Sequence, residues 1–152
     1  MFMKSIQSLC LIQSILMKTD LSNATFIIPI RIESDDRLRN VVTSIAFLVE
    51  NFDTNIIVKE VDKESVFQTE VLPIFEEILE VDLWKNFHHI FERSEEPLFH
   101  RQRVLNEMIA ECETDIVVNY DCDVILPMKS YELAYNGITE GIYDVVYPYG
   151  SG

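Results

Sequence analysis

Glycine is scarce in this 152-residue chain, and its placement is restrictive. The four glycines are Gly137, Gly141, Gly150 and Gly152, so all of them fall within the last sixteen residues. A Walker A loop and a GxGxxG dinucleotide turn both need glycines at fixed positions between a strand and a helix. Nothing upstream of Gly137 can form either motif. P-loop NTPases and dinucleotide-binding dehydrogenases are therefore excluded.

Positive charge is also scarce. Twelve lysines and arginines stand against 26 aspartates and glutamates, which leaves a net charge of −14. A nucleic-acid phosphate backbone is bound by a cationic surface, so we expect no nucleic-acid partner. The chain also lacks the run of about eighteen apolar residues that a transmembrane helix needs. We therefore expect no stable membrane insertion.

The cysteines are few and odd in number. Three widely spaced cysteines are typical of reduced thiols rather than of a disulfide framework. We therefore expect a cytoplasmic protein, and association with the inner face of the membrane as a peripheral protein stays open. The hydrophobic fraction of 48% is that of a globular chain. We interpret residues 1–23 as an N-terminal extension and residues 24–152 as one domain.

Short apolar segments alternate with amphipathic ones from residue 24 onward. This alternation predicts an α/β fold with a mostly parallel sheet flanked by helices. Ser34 and Asp35 stand where the N-cap of the first helix is expected, and Ser130 can cap the last helix. The predicted strands are 25–30, 54–59, 87–92, 115–120 and 144–147, and the predicted helices are 36–51, a stretch within 65–86, 101–112 and 130–140.

The motif that most directly indicates a ligand-binding site is Asp121-Cys122-Asp123, which comes directly after an apolar strand. In open α/β sheets, ligands bind beyond the carboxyl ends of the strands. Two aspartates spaced by one residue share a face of a strand, and carboxylates suit Mn²⁺ or Mg²⁺, which take ligand phosphates in their remaining positions. The motif predicts a metal site that receives a phosphorylated ligand. A solvated acidic turn is the alternative.

Four sequence blocks together resemble the donor-binding half of β-1,4-galactosyltransferases and their bacterial family 2 relatives, which have the Rossmann-like GT-A fold. In that family a first strand ends in Pro-Phe-Arg, and a Phe-Asn-Arg segment is followed by two apolar residues and Asn. An Asp-Val-Asp motif then precedes Leu-Ile-Pro-Met. In the segment that matches Phe-Asn-Arg, His100 takes the place of the Asn, and this difference leaves the role of His100 open. The corresponding blocks here are Pro29-Ile30-Arg31, Phe99-His100-Arg101, Val104-Leu105-Asn106 and Asp121 to Met128.

The resemblance implies a role for each matching residue. It assigns metal binding to Asp121 and Asp123, and it places Glu60 and Asp62 where the family reads the uracil edge, without deciding between them. An aromatic ring can stack on a pyrimidine, and a guanidinium suits phosphate oxygens. Cys122 is expected to be a small strand-end residue rather than a nucleophile. The implied nucleotide-sugar-binding residues are Pro29, Ile30, Arg31, Glu60, Asp62, Phe99, Arg101, Asp121 and Cys122.

The resemblance also implies an activity: the use of a UDP-sugar and Mn²⁺ (or Mg²⁺) to transfer a hexose or N-acetylhexosamine to a glycan acceptor. The family's acceptor site and general base follow the last predicted strand, so we expect the site to be incomplete and assign no catalytic base. A non-catalytic nucleotide-sugar-binding module that needs a partner chain is the alternative. A structural domain with a decayed site also stays open. A phosphatase of the haloacid dehalogenase type is disfavoured, because Val124 and Ile125 follow the motif instead of Gly and Thr.

Overall fold

The computed structural model describes residues 18–79 and 85–149, and these form alternating strands and helices. Residues 1–17, which belong to the predicted extension, and residues 150–152 lie outside the described ranges. The strands are β1 (Thr19–Ile30), β2 (Phe52–Asp62), β3 (Phe87–Arg93) and β4 (Ile116–Asn119). The helices are α1 (Asp35–Asn51), α2 (Leu72–Ile78), α3 (Arg101–Ala110) and α4 (Met128–Thr139), with a π-helical segment at Phe67–Val71.

The strands form one sheet in the order β3-β2-β1-β4, and every pairing is parallel. The predicted α/β class, with a parallel sheet flanked by helices in a single domain, is confirmed. The chain builds the sheet outward from β1 to β3 and then returns to place β4 on the other side of β1. This reversal creates a topological switch point between the carboxyl ends of β1 and β4, which is where ligands bind in open α/β sheets.

Both faces of the sheet are buried, as is typical of parallel sheets. Along β1, Phe26 and Ile28 belong to one apolar cluster with α1, whereas Ile27 belongs to a second cluster with Val104 and Met108 of α3. This alternation follows from the two-residue period of a strand. The core therefore holds the ends of β1, α1 and α3 in fixed positions around the switch point.

The start of the fold lies before the expected domain boundary. β1 begins at Thr19, and Thr19 is in register with Phe52 of β2. Residues 19–23 are thus part of the sheet. None of the helices within the described ranges combines the length and apolarity needed to cross a membrane.

Three local predictions need correction. The helical stretch predicted within 65–86 is divided into a π-helical segment and α2, with Pro73 in the first turn of α2, and its residues 80–84 lie outside the described ranges. Ser130 does not cap α4, because the helix begins at Met128 after Pro127 and the Ser130 N–H donates to the Pro127 carbonyl at 2.8 Å. Proline favours a helix start because its φ is fixed near the helical value.

The predicted fifth strand is also wrong. Residues 144–147 form no strand, and no pairing follows β4 within the described part of the chain. Val145 is 68% exposed, so this apolar run is not buried as a central strand would be. A short apolar run becomes a strand only where a neighbour offers backbone partners, which periodicity alone cannot reveal.

Candidate functional site

The candidate site lies at the switch point, where β4 ends beside β1. The Tyr120 N–H donates to the Ile27 carbonyl at 3.1 Å, which continues the contact with β1 one residue beyond β4. Asp121 is the next residue, so the aspartate motif leaves the sheet directly beside β1. The sequence therefore delivers the two carboxylates to the carboxyl edge of the sheet, as expected.

The aspartate motif alternates between solvent and core. Asp121 and Asp123 are exposed, whereas Cys122 is buried in the larger apolar cluster. Burial raises the pKa of the Cys122 thiol, even though the Arg37 guanidinium lies close to it. Cys122 is thus a packed neutral thiol that holds the loop on the core and turns both aspartates outward.

Arg101, the first residue of α3, is bound to this loop. One of its terminal nitrogens, Nη2, donates to Asp121 Oδ1 at 2.6 Å and to Asn119 Oδ1 at 3.1 Å. Asp121 Oδ2 accepts no hydrogen bond from the described residues and is left available to a ligand. The structure thus brings together Arg101 and Asp121, which the sequence predicts as site residues, and adds Asn119, which it does not.

Arg31, at the end of β1, is largely turned away from solvent. It is 9% exposed, and its Nε donates to the Val61 carbonyl at 2.8 Å while Nη1 donates to the Pro97 carbonyl at 3.1 Å. Its guanidinium carbon lies 5.6 Å from the centroid of the Phe99 ring. Arg31 therefore ties the end of β2 to the segment that leads into α3, which is a positioning role that its sequence position did not indicate.

The other predicted nucleotide-lining residues near β1 are only partly available. Phe99 is half-buried and packs against the apolar cluster that includes Ile27 and Val104. Ile30 is 1% exposed, so its side chain belongs to the core, whereas Pro29 is half-buried. Ile30 can therefore contribute only its backbone to a ligand.

Glu60 and Asp62, the two alternatives for the uracil edge, have different environments. Glu60 is fully buried: its Oε2 accepts from Ser65 Oγ at 2.5 Å, and its Oε1 accepts from the Phe67 N–H at 3.1 Å. Burial raises the pKa of this carboxyl, but the contact with His89 and the two hydrogen bonds outweigh burial and hold the pKa below its ordinary value. Glu60 is thus committed to the start of the π-helical segment, and Asp62 is the more accessible of the two.

Three clefts surround these residues. Arg31 and Asp62 line a cleft of about 600 Å³ above the ends of β1 to β3. Arg101 lines a cleft of about 720 Å³ beside β3 and α3. Arg101 and Asp121 also line a more enclosed cleft of about 470 Å³ between β4 and residues 145–149. The predicted site residues are therefore distributed over neighbouring clefts rather than gathered in one pocket, and Asp123 lies outside all three.

The donor set can be compared with what a divalent metal needs. No group of three or more His, Cys, Asp or Glu side chains that could enclose a metal ion occurs among residues 18–79 and 85–149. Asp121 and Asp123 nevertheless supply two exposed carboxylates on one loop. Mg²⁺ is commonly held by one or two carboxylates together with waters and the phosphates of a substrate. The residues fit an ion that arrives with a phosphorylated ligand, and they do not form a closed metal cage.

Sequence reasoning missed one further basic residue near the loop. Arg37 lies in the first turn of α1, where its N–H donates to the N-cap Ser34 Oγ at 3.3 Å. Its Nη1 lies 3.8 Å from Cys122 Sγ. The available signal was its place in the first turn of the helix that follows β1, because the start of that helix borders the switch point.

Comparison with known proteins adds no identification. No model of a known protein family matches the chain, and no curated protein matches it either. A functional proposal therefore depends on the residues and their geometry.

Proposed function

We propose that this chain is the donor-binding domain of a metal-dependent glycosyltransferase that uses a UDP-sugar. The observation that carries the proposal is the exposed Asp121–Asp123 loop at the switch point, in contact with Arg101. A switch point is a common ligand position in parallel α/β sheets, and the loop offers the chemistry that a metal-bound diphosphate requires. The order of the sequence blocks that resemble GT-A glycosyltransferases is the second support.

The diphosphate end of the ligand is assigned to the loop and to α3. Asp121 and Asp123 would hold Mn²⁺ or Mg²⁺, which when bound supplies positive charge to the diphosphate and stabilises the departing UDP. Arg101 adds a guanidinium, whose planar donors match phosphate oxygens. In a chain of net charge −14, these cations offset the repulsion that a diphosphate would otherwise meet.

The uridine end is assigned to the cleft above β1 to β3. Asp62 is partly exposed there and can accept a hydrogen bond from a base N–H. Arg31 contributes by holding the segment from Pro97 to Phe99 at the rim of this cleft. In this arrangement the nucleotide would extend from the ends of β1 and β2 toward the aspartate loop.

Transfer to a glycan acceptor needs a general base, and we assign that role to no described residue. Each residue that carries the proposal acts on the donor. A nucleotide-sugar-binding module that needs a partner chain for transfer is therefore the second candidate. The two candidates make the same prediction for donor binding and differ only in whether the bound sugar is transferred or hydrolysed.

The test is calorimetric binding of UDP with and without Mn²⁺, for the wild type, Asp123→Ala and Glu76→Ala. Glu76 is an exposed acid on α2 that lines none of the three clefts, so it is a matched control. We expect metal-dependent binding that Asp123→Ala abolishes and Glu76→Ala preserves. Absence of UDP binding under every metal condition would overturn the proposal. Release of UDP from UDP-sugars then separates a transferase from a binding module.

A further inference from the structure

Two arginines of this acidic protein form no ion pair with any described carboxylate. Four of its six arginines form ion pairs with carboxylates, but Arg31 and Arg37 form none within the described ranges. Arg31 directly follows β1 and Arg37 lies in the first turn of α1, so both are near the carboxyl end of β1 and the switch point. Arg31 is largely buried and donates to two backbone carbonyls, whereas Arg37 is exposed. Arg37 is therefore the arginine whose charge is still available.

The side chain of Arg37 is directed to the aspartate loop rather than away from the protein. Its Nη1 donates to the buried Cys122 Sγ at 3.8 Å, so the guanidinium lies against the residue between Asp121 and Asp123. Arg101 contacts the same loop through Asp121. Two guanidiniums, one from α1 and one from α3, thus contact adjacent residues of the loop, Cys122 and Asp121.

The contact with Cys122 does not neutralise Arg37. A thiol is a weak acceptor, and a single long contact to sulfur leaves most of the five guanidinium donors unused. Asp35 and Asp36 precede Arg37 in the same turn, yet neither lies within ion-pair distance of it; Asp36 is paired with Arg39 at 2.8 Å. A guanidinium with free donors beside a carboxylate loop suits a phosphate that the loop holds through a metal.

We propose that Arg37 binds the diphosphate of the nucleotide ligand at the Asp121–Asp123 loop, as a second phosphate-binding arginine beside Arg101. This inference rests on the proposed function and extends it to a residue that the sequence blocks do not include. The phosphate would be held between the first turn of α1, which carries Arg37, and the start of α3, which carries Arg101. Arg37 acts on the charged part of the ligand and not on the base.

The experiment compares the affinities of UDP, inorganic pyrophosphate and uridine, each with Mn²⁺, for the wild type, Arg37→Gln and Arg39→Gln. Arg39 is the matched control, because it is an exposed arginine of the same helix whose charge is paired with Asp36. We expect Arg37→Gln to weaken UDP and pyrophosphate about tenfold, the effect of losing a charge-assisted hydrogen bond. Uridine affinity should not change, and Arg39→Gln should match the wild type for all three ligands. Thermal unfolding of each variant checks that the fold is retained.

The outcomes separate this inference from the proposed function. Metal-dependent UDP binding that Arg37→Gln and Arg39→Gln affect equally would overturn the role of Arg37 and leave the function standing. An equal loss of uridine and UDP affinity in Arg37→Gln would show a structural effect, which also overturns that role. A wild-type protein that binds neither UDP nor pyrophosphate would overturn both.

Discussion

Arg101 Nη2 lies 2.6 Å from Asp121 Oδ1, and this ion pair joins the first residue of α3 to the loop that follows β4. The same nitrogen donates to Asn119 Oδ1, at the last residue of β4. The pair is partly exposed, so it orients both side chains at the edge of the sheet without contributing much to stability. This contact thus orients the two side chains that the proposed function assigns to the diphosphate and to its metal.

The Arg101–Asp121 pair leads to a prediction that separates binding from stability. If the chain binds UDP as proposed, Arg101→Gln should weaken metal-dependent UDP binding about tenfold, because the proposed charged contact with phosphate would be lost. The free energy of unfolding should change by less than about 1 kcal/mol, since the pair is solvent-exposed. Calorimetry and urea denaturation measure the two quantities. A large loss of stability with unchanged UDP affinity would assign Arg101 a structural role instead.

Arg31 is expected to act through the segment it holds. Arg31→Lys keeps the charge but loses the planar fork that reaches both the Val61 and Pro97 carbonyls, so the substitution is not conservative here. We expect faster amide hydrogen exchange in residues 94–100, and a loss of stability of about 1–3 kcal/mol. Arg39→Lys, on the surface of α1, should change neither quantity. Unchanged exchange in residues 94–100 would contradict this role.

Glu60 should be important for stability. In Glu60→Gln, an amide NH₂ group replaces one carboxylate oxygen, while the Ser65 hydroxyl and the Phe67 N–H both need acceptors. We expect a loss of about 1–3 kcal/mol in the free energy of unfolding, measured in urea at neutral pH. The exposed substitution Glu76→Gln should stay within about 0.5 kcal/mol of the wild type. Equal stabilities of the two variants would mean that the Glu60 contacts contribute nothing.

The Glu60 carboxyl also predicts how the free energy of unfolding changes with pH. The folded state lowers the pKa of Glu60 below its ordinary value of 4.5. Ionised Glu60 therefore stabilises the fold fully above the pKa of the unfolded chain, and this stabilisation is lost as pH falls through the lower, folded pKa. The difference in unfolding free energy between the wild type and Glu60→Gln should be constant near neutrality and shrink below about pH 4. If the difference in unfolding free energy grew as the pH fell, the folded state would raise the pKa of Glu60 rather than lower it.

The elements that periodicity could predict are those with a clear apolar pattern. The α1 helix and its Ser34 cap, β3 and α3 lie within one or two residues of their predicted bounds. β1 begins earlier than its apolar pattern indicates, because Asp20, Ser22 and Asn23 are polar and this stretch joins the strand through its pairing with β2. The wrong prediction of a strand at residues 144–147 has the same cause, because a segment becomes a strand only when a second segment pairs with it.

The site was less predictable than the fold, because side-chain direction depends on long-range contacts. The motif placed Asp121, Asp123 and Arg101 at one edge of the sheet. Glu60 is buried because Ser65, Phe67 and His89 surround it, and these contacts leave no signal at its own position. The inward direction of Arg31 likewise depends on carbonyls 30 and 66 residues away.

The strand order also bears on how the molecule folds. The β1–β2–β3 pairings join neighbouring segments, but Ile27 pairs with Asn119, so β4 docks only after a long loop has closed. Closing a longer loop has a larger entropic cost, and distant pairings tend to form late in folding. The aspartate loop and Arg101 meet only when that final strand is in place. Under the proposed function, ligand binding at this edge would consequently require the native chain topology, since a chain in which β4 is not yet docked lacks the aspartate loop beside β1.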